Sequence, residues 1–525
     1  MQAELLIKQA EVADETGVRT ADVAVENGAI IAVAPRLPVE SAGQQVDGTG
    51  LLLMPGFIDL HAHSALRPFD DPLLAAKVGQ GFTTELICPD GLGPAPLTDA
   101  ARTGRERYLQ GLEPSAAAHW EWRSAGEFLA ALGEARPSTN IVSCVPHSAV
   151  RECAMGPVDR KPDAREMAAM RDLVEASLAE GCRAVSFGMI YAPGLYADTE
   201  ELIGIAEAAA KFDVPLVPHV RNEAAGVIDS IAEFVRVAEL TGAALHVSHV
   251  KLVGVAHLLA DLIDLLTSAQ ERIRLTFDQY PYGAGSTILS ALLPPYAFDG
   301  GPEAVLERVR DGRERDRMAR DMHAGLPNWE NLFAACGPDN VVVTQAAAPR
   351  DGDVGKTVAQ IAEETGADPA FAVLDLLADT GLDAAMIDHY SEEEVVKEIF
   401  VRSGALVGSD GVFNPHPHPR LYGTAPRVLG RFALRDKLIT VPEAVTRLSA
   451  GPARLLGLDD RGAVVEGRRA DLVLLDPARY VDNATYDEPH RTPDGVELVT
   501  VGGTPVWSRG HHTGARPGAV NGAVS

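Results

Sequence analysis

Two histidines separated by one residue open the chemistry of this sequence. His61 and His63 stand at the end of the apolar run Leu51–Leu60. On a strand, residues i and i+2 face the same way, so both imidazoles can chelate one cation. Further polar groups end other apolar runs. Asp90 follows GFTTELIC, His147 follows NIVSCV, His219 ends VPLVPHV, His249 ends AALHVSHV, and Asp410 ends ALVGSDG. Imidazoles and carboxylates without a thiolate cluster suit zinc or a similar divalent ion, one or two per site, with positions left open for water and substrate. A carboxylate such as Asp410, beside water activated by such an ion, can take a proton and pass it to a leaving nitrogen. His147 and Arg221 read as residues that support these groups.

Such groups converge only if their runs are parallel neighbours. Eight near-continuous apolar runs alternate with alanine-rich helical patterns such as REMAAMRDLVEASLAE and TEELIGIAEAAAKF. That alternation predicts an α/β fold, a (β/α)8 barrel with functional groups at the carboxyl ends of its strands. Both chain ends instead read as short strands, with Asn27-Gly28 as a hairpin signal, and predict a small β-sandwich shared by the two ends. The expected boundaries are 1–54 and 461–525 for the sandwich and 55–460 for the barrel. An insertion or lid is expected near 285–350.

Lys and Arg number 46 against 74 Asp and Glu, for a formal charge of −28 over 525 residues. That balance argues against nucleic acid or an anionic membrane as partner. No run approaches the length of a spanning helix, and five cysteines without C-x-x-C spacing fit free thiols in the cytoplasm. The oligomeric state is not encoded legibly.

Longer motifs carry a family resemblance. Met54-Pro-Gly-Phe-Ile-Asp-Leu-His-Ala-His63 resembles the first-strand signature of metal-dependent amidohydrolases. More specific are Tyr191-Ala-Pro-Gly-Leu-Tyr-Ala-Asp-Thr-Glu-Glu-Leu202, His219-Val-Arg-Asn-Glu223, Val247-Ser-His-Val-Lys251 and Asp278-Gln-Tyr-Pro-Tyr-Gly-Ala-Gly-Ser-Thr287. Gly408-Ser-Asp-Gly411, His418-Pro-Arg-Leu-Tyr-Gly-Thr424 and Gly510-His-His-Thr-Gly-Ala-Arg-Pro-Gly518 continue the pattern. Together they resemble the N-acyl-D-amino-acid deacylase (D-aminoacylase) family over nearly the whole chain.

The resemblance implies hydrolysis of an N-acyl-D-amino acid, a small-molecule substrate, to a carboxylate and a free D-amino acid. It implies one metal position at His61 and His63, another at His219 and His249, and Asp410 as general base. It places the substrate carboxylate on Lys251, Tyr282 and Arg420, with Ser286 nearby and Tyr191 in the same set. Lysine and arginine are also the expected carboxylate partners on chemical grounds. Lys251 lies two residues beyond His249 and so is expected on the same strand face. One departure stands out. The family's metal-binding cysteine after the second strand aligns with Asp90, while Cys88 falls two residues earlier. Asp90 is the favoured ligand, since a carboxylate can bridge two cations. The rival functions are a cyclic-amide hydrolase of the dihydroorotase or hydantoinase type, and a non-catalytic scaffold related to dihydropyrimidinase.

Overall fold

In the computed structural model, which describes residues 2–38 and 41–520, eight parallel strands form the centre of the molecule. They are β1 (Phe57–His63), β2 (Phe82–Ile87), β3 (Asn140–Pro146), β4 (Ala184–Gly188), β5 (Leu216–His219), β6 (Leu245–Val247), β7 (Leu275–Gln279) and β8 (Ala405–Val407). Every residue of β1, β2 and β3 is buried, as expected where helices cover one face and side chains fill the other. The neighbours pair in chain order from β1 to β7, and β8 pairs with β7.

Closure comes from a break in the last strand. β8 stops at Val407, and the chain resumes pairing at Gly411–Val412, now against Ala62 and His63 of β1. The residues between are held to β1 by side-chain and backbone hydrogen bonds. Asp59 Oδ1 accepts from the Ser409 N–H at 2.7 Å, and the Asp410 N–H donates to the His61 carbonyl at 2.8 Å. Only glycine fits at 408, where a Cβ would lie 2.6 Å from both His61 Cβ and Asp278 Oδ1.

Strands from the two chain ends join one nine-stranded sheet, in which Leu472–Leu475 runs antiparallel beside Leu52–Pro55. Asn27 and Gly28, both at positive φ, turn Gly17–Glu26 into Ala29–Ala34. The segment between β7 and β8 builds its own three-stranded sheet from Ala284–Ile288, Val341–Ala346 and Ala384–His389. This insert reaches well past residue 350, because its third strand returns beside the first. Among the described residues no helix is long and apolar enough to cross a membrane, and all five cysteines are free.

Candidate active site

The carboxyl ends of β1, β2, β5, β6 and β8 bring four histidines and two aspartates together. Asp90 is the pivot. Its Oδ2 lies 3.2 Å from His61 Nε2 and 3.4 Å from His63 Nε2, and its Oδ1 lies 3.3 Å from His249 Nε2 and 3.8 Å from His219 Nδ1. Asp410 Oδ1 completes the first group, 3.2 Å from His63 Nε2 and 3.6 Å from His61 Nε2. Two sets of donor atoms that include Asp90 are thereby close enough to share an ion, His61–His63–Asp90–Asp410 and Asp90–His219–His249, and a third set, His219–Glu223–Glu330, adjoins them. Cys88 is in none of the three. It is buried among apolar side chains, and burial pushes its thiol well above the usual range, which disfavours the thiolate a metal needs.

These donors fit a divalent cation on their own evidence. Both ring nitrogens of His219 are buried without a hydrogen-bond partner. Burial holds this ring neutral, with its pKa lowered to about 4 against the pull of Glu223. A neutral imidazole with a buried, unshared lone pair is what a metal ligand requires.

The backbone at the site is strained. Asp90, His249 and Asp410 have φ of +55°, +32° and +50°, a region that side chains with a Cβ rarely occupy. β2 and β6 end at Ile87 and Val247, so alternation along a strand does not govern residues 88–90 or 249–251. Lys251 nevertheless meets His249, its Nζ 2.8 Å from Nδ1, because the chain turns there.

Buried ion pairs support the cluster from below. Lys77, fully buried, donates to Asp59 Oδ2 and to Ser409 Oγ, each at 2.7 Å. Asp278 accepts from His246 Nε2 at 2.9 Å through one oxygen and from the His249 N–H at 2.9 Å through the other. Glu113, from the loop before β3, lies 3.5 Å from His63 Nδ1. Asp410 also receives Arg420 Nη2 at 2.9 Å. Burial raises the Asp410 pKa, but Arg420 and His61 together pull it well below the carboxylate range.

A narrow cavity opens on this cluster. Tyr191, Lys251, Tyr280, Ser286 and Asp388 are part of its wall. Ser286 Oγ and Arg420 Nε and Nη1 are buried without partners, which leaves donors free for an anion. Tyr191 donates or accepts with Thr287 Oγ1 at 2.7 Å. Lys251 sits between both oxygens of Glu223, at 2.7 and 2.6 Å.

Three expected residues lie elsewhere. Tyr282 is off the cavity, because its N–H turns back to the Tyr280 carbonyl and its ring packs under Arg427 and against His418. Tyr280 takes the wall position instead, with Arg420 stacked 4.3 Å from its ring centre. His147 bonds Glu201 at 2.8 Å beneath the outer helices, where Arg151 binds the same carboxylate. Arg221 pairs with Glu233 at 2.7 Å and ties down the carbonyl of Ala197. Glu113, Glu223, Glu330 and Asp388 were not assigned from sequence. Only Glu223 had a local signal, in the motif that begins at His219.

A profile of the amidohydrolase family matches residues 44–507. The chain belongs to the amidohydrolase family. Within it, the chain is 31% identical to an N-acyl-D-glutamate deacylase of Alcaligenes xylosoxydans xylosoxydans, over 96% of this chain and 92% of that one. Among solved amidohydrolases, the N-acyl-D-glutamate deacylase of Bordetella bronchiseptica, complexed with zinc and a phosphonate mimic of the tetrahedral intermediate, is 31% identical. It superposes with a TM-score of 0.82 and covers 100% of both chains. A D-aminoacylase with a binuclear metal centre, described as activated by one metal and attenuated by the second, gives 0.83 at 28% identity, with 99% of both chains covered.

Proposed function

We propose that this amidohydrolase is a zinc-dependent deacylase that hydrolyses N-acyl-D-amino acids to a carboxylate and a free D-amino acid. The observation that carries the reading is the Asp90 carboxylate shared between the His61–His63 and His219–His249 pairs. His61, His63, Asp90 and Asp410 would hold one divalent ion, and Asp90, His219 and His249 a second. Such an ion supplies Lewis acidity toward water and toward the amide carbonyl.

The protein supplies position and proton transfer. Asp410, kept anionic by Arg420, takes a proton from the attacking water as the new C–O bond forms. It returns that proton to the amide nitrogen as the C–N bond breaks, so the products are a carboxylate and an amine. Ser286 in the cavity wall and the buried Arg420 that donates to its carbonyl at 3.0 Å, both with unpaired donors, receive the substrate α-carboxylate, and Lys251 stands beside them. Tyr191 closes the side of the cavity next to His219, its ring 5.3 Å from that imidazole. The units are 55–460 as the catalytic one and 1–54 with 461–525 as the second, whose strands between Gln2 and Pro55 and between Leu472 and His512 share one sheet. The unpaired cysteines and acidic balance support a cytoplasmic protein with a small-molecule substrate and no nucleic-acid or membrane partner.

The test is a matched panel of N-acetyl-D- and N-acetyl-L-amino acids assayed on zinc-loaded protein. Turnover confined to D-substrates is expected. Equal turnover of both series, or turnover only of cyclic amides, would overturn the reading.

A further inference from the structure

The insert brings carboxylates to the cavity that this reaction does not use. Asp388 lies on the strand Ala384–His389, directly across from Gly285 in the antiparallel register. Both residues line the cavity. A Cβ at 285 would stand 2.7 Å from Asp388 Oδ1, so the glycine leaves the carboxylate its room.

The two cations nearest to hand are already engaged. Lys251 is held by Glu223 at 2.6 Å, and Arg420 by Asp410 at 2.9 Å. The hydrogen-bond partner of the Asp388 side chain is the weak Cys336 Sγ donor, 3.9 Å from Oδ2. Burial raises the Asp388 pKa to about 6, with Lys251 and Arg420 opposing it and Glu223 adding to it.

Glu330 repeats the pattern beside it. It is 3% exposed, its Oε1 accepts the Glu223 N–H, and its Oε2 is buried with no partner. Burial and then the Glu223 charge push its pKa up to about 8, and Asp388 contributes in the same direction. Three carboxyl groups, Glu223, Glu330 and Asp388, thus share the single ammonium of Lys251. Carboxylates this deep are costly without a counter-charge, and a ligand cation entering among them supplies one.

We infer that Asp388, backed by Glu330, forms the side-chain subsite and selects N-acyl-D-amino acids whose side chain carries a cation, the lysine and arginine class. The inference rests on the deacylase reading above and sharpens its substrate. Asp388 pairs with Gly285, the residue before Ser286, and both Ser286 and Asp388 line the cavity, so a substrate with its α-carboxylate at Ser286 has the Asp388 carboxylate in the same cavity as its side chain. A side-chain carboxylate would meet like charge there and find no spare cation. In this respect the cavity differs from what an N-acyl-D-glutamate deacylase needs.

The experiment measures kcat/KM of the zinc-loaded enzyme for N-acetyl-D-lysine, N-acetyl-D-leucine and N-acetyl-D-glutamate. Wild type is expected to favour lysine over leucine by at least about tenfold, with glutamate last, since one charge-assisted contact is worth that much. In Asp388→Asn the lysine-to-leucine ratio falls by about tenfold or more, mostly through KM, and Asp388→Glu restores part of it. A wild type that prefers glutamate, or a ratio that Asp388→Asn leaves unchanged, overturns the subsite. If that variant fails to fold, the wild-type ranking decides alone. Turnover of the leucine substrate without preference for lysine sinks the subsite and leaves the deacylase standing. No turnover of any of the three with zinc bound overturns both.

Discussion

The barrel mouth and the insert wall face each other across one cavity and handle charge in opposite ways. At the mouth, each charged group has partners from several strands. Asp59 binds Lys77, Ser409 and the His61 backbone, and Asp278 binds His246 and the His249 backbone. On the insert wall, Glu330 Oε2 has no partner and the Asp388 carboxylate accepts a weak hydrogen bond from the Cys336 thiol. The mouth is braced for chemistry that requires fixed geometry. The wall holds its charge open, which suits a surface that chooses among side chains. Function at the first depends on position, and at the second on the sign of the ligand's charge.

Breaking the mouth is expected to cost most. Asp410→Asn keeps shape and loses the proton acceptor, so kcat should fall on the order of 10³-fold while bound zinc, measured by elemental analysis, persists. Full activity in that variant would remove Asp410 from the reaction. Lys77→Met leaves Asp59 buried without its cation and should lower unfolding stability by about 3–5 kcal/mol in chemical denaturation. A loss below about 1 kcal/mol would show that the ion pair does not brace the broken strand.

The insert wall should respond more gently and in one direction. Asp388 gains its charge as pH rises through about 6, so the kcat/KM ratio of N-acetyl-D-lysine to N-acetyl-D-leucine should climb across that interval and level off above it. Using a ratio cancels titrations at the metal cluster, which both substrates share. Lys251 and Arg420 lower the pKa of this group and Glu223 raises it, while Glu330, its own pKa pushed up to about 8, is largely protonated over most of that interval. A ratio that is flat from pH 5 to 8 would contradict the charge-selection account. Smallest of all is His147→Phe, which removes the bond to Glu201 away from the cavity. Thermal stability should drop by a few degrees, with kcat/KM for the best D-substrate within about threefold of wild type.

The same division explains what could be read from the sequence. Residues at strand ends follow simple spacing, so His61, His63, His219, His249 and Asp410 were legible once eight parallel strands were inferred. Asp90 was legible from its alignment with the family's cysteine and the capacity of a carboxylate to bridge two cations, although the strand ends at Ile87 and Asp90 itself sits at positive φ. The left-handed residues that aim Asp90, His249 and Asp410 left no mark in composition or period. Tyr282 was assigned through the family resemblance alone, and Tyr280 lines the cavity where the chain turns at Pro281 and the Tyr282 N–H donates to the Tyr280 carbonyl. Glu330 and Asp388 were invisible, since Asp388 comes to the site on a non-local sheet, Glu330 on the loop before the helix Leu332–Cys336, and neither belongs to a short motif.

The central claim is that Asp90 joins two histidine pairs around divalent metal. Zinc content of purified wild type, Asp90→Ala and Cys88→Ala, equilibrated with equal added zinc and measured by elemental analysis, tests it most directly. Wild type and Cys88→Ala should retain zinc to the same level, and Asp90→Ala should lose most of it. Full zinc in Asp90→Ala together with loss in Cys88→Ala would contradict the account.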